Sequence, residues 1–212
     1  MTDLETRNPK PRLDSQSPEL FGQTPSQTVG PFFHFGLPWK GGADLVGRSD
    51  MGASGVPQGE VIDLRGRVLD GRGEAVPDAM LEIWQANAAG RYASLSDRRA
   101  GIPLDPHFIG FGRAATGEDG EFHFRTIRPG RVPGPDGALQ APHIALSVFG
   151  RGLLKRLATR IYFADCTEND ADPILIRVPP ERRTTLIAQR RSSDWWFAIV
   201  LQGPGETVFF AL

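Results

Sequence analysis

Apolar and polar side chains trade places in short runs along most of this chain, and glycine and proline separate the runs. Val61 to Leu69 partly alternates apolar and polar positions, and Asp70-Gly71-Arg72-Gly73 after it is a turn signal. Ala79 to Ala86 is a second strand, led in by Pro77-Asp78. Phe108 to Thr116 and Glu121 to Ile127 form a hairpin around Gly117-Glu118-Asp119-Gly120, and further strands follow at His143 to Phe149, Arg160 to Phe163, Trp195 to Gln202 and Glu206 to Leu212. Pro179-Pro180-Glu181-Arg182-Arg183 opens a short helical turn, since proline fits the first helical position. Strands at this spacing predict an all-β fold: an antiparallel β-sandwich core with long loops and an N-terminal arm.

Composition narrows the function classes. At 212 residues, 40% hydrophobic, the chain can bury one large core, and its 25 glycines and 18 prolines favour turns over long helices. A formal net charge of −1 gives no basic excess for nucleic acid. The single cysteine, Cys166, leaves no intramolecular disulfide and fits a reducing cytoplasm. The opening MTDLETRNPKPRLDSQ has no apolar centre, so neither a signal peptide nor a membrane span is expected there.

Residues 1–23 are polar and read as a flexible arm, with one domain over residues 24–212. Thr24 to Trp39 follows, and its Phe32-Phe33-His34-Phe35 cluster is too apolar for a free tail. Two readings compete: an arm packed over a hydrophobic groove, or a wall of a ligand pocket to which Thr28, Gly30 and Pro31 bring backbone close. Farther on, a Pro/Gly-rich crossing from Pro129 to Pro142 runs into His143-Ile144-Ala145, and then into a basic corner of Arg151, Lys155, Arg156 and Arg160. On a strand His143 and position 145 share a face, so two histidines there would make half a metal site. Ala145 breaks it. His34, His107 and His123 have no spacing that suggests a metal site.

Leu81-Glu82-Ile83-Trp84-Gln85-Ala86-Asn87-Ala88-Ala89-Gly90-Arg91-Tyr92 resembles a signature of the intradiol ring-cleaving dioxygenases. So do Phe111-Gly112-Arg113, Phe124 to Gly130 and Pro142-His143-Ile144, in order from about Thr24 to the C-terminus. The resemblance implies a β-sandwich on which two tyrosines and two histidines hold non-haem ferric iron, which activates a catecholic substrate for attack by O₂. The first tyrosine is Tyr92 and the first histidine is His143. Val132 stands where the second tyrosine belongs, Ala145 where the second histidine belongs, and Gln140 where the family has an arginine. A lone Tyr/His pair gives no reason to select Fe³⁺.

Some members are built from two homologous chains, of which the α-type lacks ligands that its β-type partner supplies. The α-type motifs are present: Thr24-Pro25-Ser26-Gln27-Thr28 with Gly30-Pro31, Phe149 with Arg151-Gly152-Leu153, Arg182-Arg183 with Thr185-Leu186-Ile187-Ala188, and Gly205-Glu206-Thr207-Val208-Phe209-Phe210. The resemblance therefore implies a cytoplasmic α/β hetero-oligomer of the β-ketoadipate pathway that converts 3,4-dihydroxybenzoate and O₂ to 3-carboxy-cis,cis-muconate. Iron would lie in the β partner and none in this chain. Thr28, Gly30 and Pro31 would line the substrate pocket, Arg151 would support it from a polar network beside it, and Tyr92 and His143 would be relics. Phe32 to Phe35 and Val208-Phe209-Phe210 would bury against the partner. Two other readings stay open: a metal-free binding or scaffold protein on the same fold, and an iron enzyme acting alone with a rebuilt site.

Overall fold

The computed structural model describes residues 27–47, 55–134 and 136–211. The arm at residues 1–23 and Thr24 to Ser26 lie outside the described residues. After a one-turn helix α1 (Phe33–Gly36) the chain is built from strands: β1 (Val61–Leu69), β2 (Met80–Trp84), β3 (Phe111–Ala115), β4 (Glu121–Ile127), β5 (Ile144–Phe149), β6 (Leu157–Phe163), β7 (Ile187–Arg191) and β8 (Asp194–Val200). Alternation shows directly in β5, where Ile144, Leu146 and Val148 are buried and the residues between them only half-buried.

The strands hydrogen-bond in the order β3-β2-β5-β6-β7-β8-β1-β4. β3 and β4 sit at opposite ends of that order, yet only residues 116–120 connect them, so the sheet must fold back on itself. Gly120 turns this hairpin with φ +75, and its Cβ-less face lies against the Val68 carbonyl. One half is β3-β2-β5-β6 and the other β7-β8-β1-β4, with a two-residue pairing of Tyr162 and Phe163 with Ile187 and Ala188 as the join. A single apolar cluster fills the space between the halves, drawing Leu81, Leu146 and Ile161 from one and Leu64, Phe124 and Ile199 from the other. Phe163 and Trp195 meet edge to face across the join, centroids 5.0 Å apart, with the Arg128 guanidinium 4.0 Å from the Phe163 centroid. Burial of each of these large rings contributes roughly 1.5–3 kcal/mol.

Several expectations need correction. Two pairings are parallel, β1 with β8 and β6 with β7, so the all-β sandwich is mixed rather than purely antiparallel. No strand forms over 206–211: Phe210 makes one bridge to Ala158, while Val208, Phe209 and Phe210 pack on this chain's own core. The aromatic cluster of the arm is not packed over a groove. Phe32 and Phe35 are 76% and 69% exposed, because a single helical turn points successive rings in different directions. The expected helical turn is present as a 3₁₀ segment, Pro180–Leu186.

Candidate functional site

Two places on the sheet gather the residues singled out by sequence, at opposite ends of β5. At its start lie the positions that the resemblance assigns to metal ligands. Trp84 on β2, Ala145 on β5 and Arg160 on β6 are directly paired, so their side chains form one row on the outer face of the half-sheet. Tyr92 leaves the turn after β2 and stacks on Trp84, ring centroids 5.7 Å apart and planes at 13°. The turn is held by Asn87, whose Oδ1 accepts from the main-chain N–H of Ala89 and Arg91. The Pro/Gly crossing passes beneath it: a Cβ on Gly90 would stand 2.0 Å from the Arg131 carbonyl oxygen, and one on Gly130 2.4 Å from that of Ala88. These two close approaches bring Val132 beside Tyr92, and both line a cleft of about 440 Å³ with Trp84, Asp97, Arg99 and Pro133.

His143 closes the other side. It is 6% exposed, its Nδ1 lies 2.8 Å from the Ala141 carbonyl oxygen, and its ring is 5.7 Å from that of Tyr162. Burial first, and the nearby Arg160 charge second, push its pKa down to about 4. The Tyr92 phenol is pushed up, chiefly by burial, against the opposing pull of Arg160 and Arg99. Asp97 is held far below the usual carboxylate range, mainly by Arg99, which lies 2.5 Å away. Gln140 accepts from Arg160 Nη1 at 2.5 Å and donates from Nε2 to the Pro133 carbonyl at 3.1 Å. Tyr162 donates to the buried Asp172 at 3.0 Å, and Asp172 also accepts from the Ala141 N–H at 2.8 Å.

A ferric ion does not fit this donor set. Two of the four positions that the resemblance assigns to ligands, Val132 and Ala145, carry hydrocarbon side chains with no donor atom. Among the described residues no group of three or more His, Cys, Asp and Glu side chains converges. His123 is instead paired to Asp63 at 2.5 Å.

A buried neutral imidazole has a consequence in acid. With its folded pKa near 4 and an ordinary value of 6.5, His143 favours the folded state fully above 6.5, and that contribution is lost as pH falls toward 4. Denaturant midpoints should show an acid loss over that window approaching about 3 kcal/mol, and it should be absent in His143→Gln.

The far end of β5 holds the second group. The Thr28 Oγ1 accepts from the Gly152 N–H at 2.8 Å and lies 3.4 Å from the Gly150 carbonyl oxygen, which docks the arm on the β5–β6 corner. Gly30, at φ +77, has open space around it, and Pro31 is exposed. Arg151 Nε sits 2.8 Å from Asp78 Oδ2, with the arginine side chain 63% exposed. Thr28 and Arg151 are thus brought together. Arg151 follows His143 by eight residues, most of them the extended strand β5, which separates them by up to about 26 Å. The basic corner is not a unit: Arg156 donates to Ser147 at 2.9 Å, while Arg160 donates to Gln140 at the other end of β5. Sequence reading missed Arg160 and Asp172 in the site. Only the spacing of Arg160 and Tyr162 on one strand face hinted at them.

The described chain has no helix long and apolar enough to cross a membrane. The dioxygenase family model matches residues 40–203. The protocatechuate 3,4-dioxygenase alpha chain of Burkholderia cepacia is 44% identical over 198 residues, 89% of this chain and 96% of that one. The beta chain from the same organism is 35% identical, over 93% of this chain and 82% of its own. Among solved structures, the dioxygenase domain of a dioxygenase carbohydrate-binding protein fusion from Streptomyces sp. SirexAA-E superposes with a TM-score of 0.56 at 26% identity, covering 85% of this chain and 99% of that domain. A family pattern over most of the chain, a relative matched nearly end to end and the shared all-β architecture agree: the chain belongs to the intradiol dioxygenases, a family of non-haem iron enzymes.

Proposed function

We propose that this chain is the iron-free α chain of an α/β protocatechuate 3,4-dioxygenase. The complex cleaves 3,4-dihydroxybenzoate with O₂ to 3-carboxy-cis,cis-muconate in the β-ketoadipate pathway, in the cytoplasm. The β partner holds the ferric ion, and this chain completes the substrate pocket with Thr28, Gly30, Pro31 and Arg151. The observation that carries the reading is a match along almost the whole chain to an α chain, in a sequence with carbon at two of four ligand positions. The placement of Thr28 and Arg151 supports it: they form an exposed platform remote from the relic site, free to face a pocket on another chain. The exposed Phe32 and Phe35 beside them offer apolar surface for that contact. An arginine there gives a carboxylate a charge-assisted partner that stays cationic at any working pH.

The test is co-expression. The chain alone should be colourless and free of stoichiometric iron. Together with its β-type partner it should give the red-brown tyrosinate-to-iron absorption and ring cleavage. A metal-free scaffold protein would instead be monodisperse alone and indifferent to the partner, and an iron-loaded, coloured lone chain would defeat the assignment. Within the complex, Arg151→Ala should lower kcat/KM about 10- to 100-fold, the worth of one hydrogen bond to a charged group, with iron content unchanged. Arg151 is exposed but its partner Asp78 is buried, so the variant also leaves a buried carboxylate without its ion pair, and a urea midpoint on Arg151→Ala separates that folding cost from the loss of kcat/KM. Unchanged kinetics would remove Arg151 from the pocket.

A further inference from the structure

The segment that carries Thr28, Gly30 and Pro31 takes its shape with little help from the core. α1 has four residues, none of them buried, and a single turn is not stable alone. Among the described residues, Leu45 is the first apolar side chain from the N-terminal side to be buried in the core. Residues 29–36 are therefore placed by what holds their two ends. At one end the Thr28 hydroxyl accepts from the Gly152 N–H. At the other, the Arg113 Nη1 donates to the Leu37 carbonyl oxygen at 2.9 Å. The Phe111-Gly112-Arg113 motif on β3 receives this second end. Glu82, the direct cross-strand neighbour of Arg113, accepts from its Nε at 2.8 Å and its Nη2 at 2.5 Å, which leaves Nη1 turned to Leu37. Phe111 shares a strand face with Arg113 and stacks with Trp39, ring centroids 6.1 Å apart and planes at 18°. The guanidinium carbon lies 5.3 Å from the Trp39 centroid, within cation–π range. Gly112 faces the other way, where a Cβ would stand 2.5 Å from the Leu45 Cδ1 and 3.1 Å from the Gly42 carbonyl oxygen. That carbonyl accepts from the Arg113 N–H at 2.9 Å.

We infer that Arg113 is a positioning residue for ring cleavage: by holding Leu37 and Trp39 it sets where Gly30 and Pro31 stand in the pocket of the complex. The inference rests on the proposed α-chain reading, in which this segment walls that pocket. Without the Arg113 side chain the next fixed point is the main-chain bond at Gly42, and the span free to move grows from residues 29–36 to 29–41. Lysine does not replace it, because one ammonium that follows the Glu82 carboxylate leaves the Leu37 carbonyl without its donor. A wall that holds substrate and transition state alike acts on KM and leaves kcat.

Arg113→Lys is compared with Glu82→Gln, which removes the charge pair but keeps an acceptor oxygen for the Arg113 fork. Hydrogen exchange is read on the full-length chain alone. Amides between residues 29 and 39 should exchange about 3- to 10-fold faster with Arg113→Lys, the equivalent of one lost hydrogen bond, and at the original rate with Glu82→Gln. In the complex, Arg113→Lys should raise KM by about the same factor while kcat stays within about twofold. Trp39→Leu removes the aromatic half of the clamp and should act in the same direction, which keeps the test decisive if circular dichroism shows the lysine variant folding poorly. Unchanged exchange in both variants overturns the inference. So does an equal rise with Glu82→Gln, which would make the ion pair a fastening of the sheet alone. Faster exchange with KM unmoved also overturns it, since the clamp would then hold a segment that the pocket does not use. Exchange is measured without the partner, so the inference can fail while the complex assembles and cleaves its substrate; an unsubstituted complex without ring cleavage defeats the α-chain assignment instead.

Discussion

Replacing Asp172 with alanine is expected to destabilise the chain by on the order of 5 kcal/mol, the largest loss available from one side chain outside the apolar core. Asp172 is fully buried. Its Oδ1 accepts from the Tyr162 hydroxyl at 3.0 Å and from the main-chain N–H of Ile174 and Leu175 at 2.9 and 2.7 Å. Its Oδ2 accepts from the Ala141 N–H at 2.8 Å. Alanine would leave four donors without an acceptor. A buried donor stripped of its partner costs about 1–3 kcal/mol, and bonds to a charged acceptor lie at the upper end. Asp172→Asn keeps one acceptor oxygen but sets an amide N–H₂ against one of the donors, so about half the loss is expected. Urea midpoints check both values. A second readout is local: the Ala141 N–H anchors the strap that carries Gln140 and His143. The Asp172 charge raises the His143 pKa and its loss works to lower it, so a net climb from about 4 would report that the strap has opened and relieved the burial that depresses it. A drop in stability without that change would mean that Asp172 holds the 3₁₀ turns only.

The origin of this network explains what could be read in the chain and what could not. The β1 alternation, the β3–β4 hairpin with its glycine turn and the proline-led 3₁₀ segment are all local: residue order alone carries them. The parallel pairing of β1 with β8 joins residues about 130 positions apart and leaves no local mark. β7 escaped notice because Ile187-Ala188-Gln189-Arg190-Arg191 has two apolar residues followed by three polar ones, a poor strand pattern that its neighbours on both sides override. The closing Thr207-Val208-Phe209-Phe210 erred the other way: β-prone side chains found core contacts without a ladder. In the candidate site, Val132 and Ala145 stood out because each falls inside a motif where the resemblance expects a tyrosine or a histidine. Arg160 read as one more member of a basic corner. Only the register that sets it opposite Ala145 places its charge in the candidate site.

Gly90→Ala should cost about 3–4 kcal/mol, against roughly 1–2 kcal/mol for Gly73→Ala, although both glycines have nearly the same backbone. Gly90 has φ +82 and Gly73 φ +79, so the left-handed conformation penalises a Cβ to the same extent at each. Their surroundings differ. At Gly73, in the exposed turn between β1 and β2, an added Cβ meets nothing within 4 Å. At Gly90 it would stand 2.0 Å from the Arg131 carbonyl oxygen, which is main chain and cannot swing aside. The difference between the two substitutions therefore isolates the cost of parting the Asn87–Tyr92 turn from the Pro/Gly crossing. Those segments also share the Gly130 N–H to Asn87 carbonyl bond of 2.9 Å, which a shift of the crossing would stretch. The geometry at stake is that of the cleft, since this contact sets Tyr92 beside Val132. Thermal melts of the two variants give the energies, and tyrosine and tryptophan fluorescence reports whether the Tyr92–Trp84 stack survives. Equal losses for the two substitutions would show that the crossing yields freely and that the turn, not the close approach, positions Tyr92.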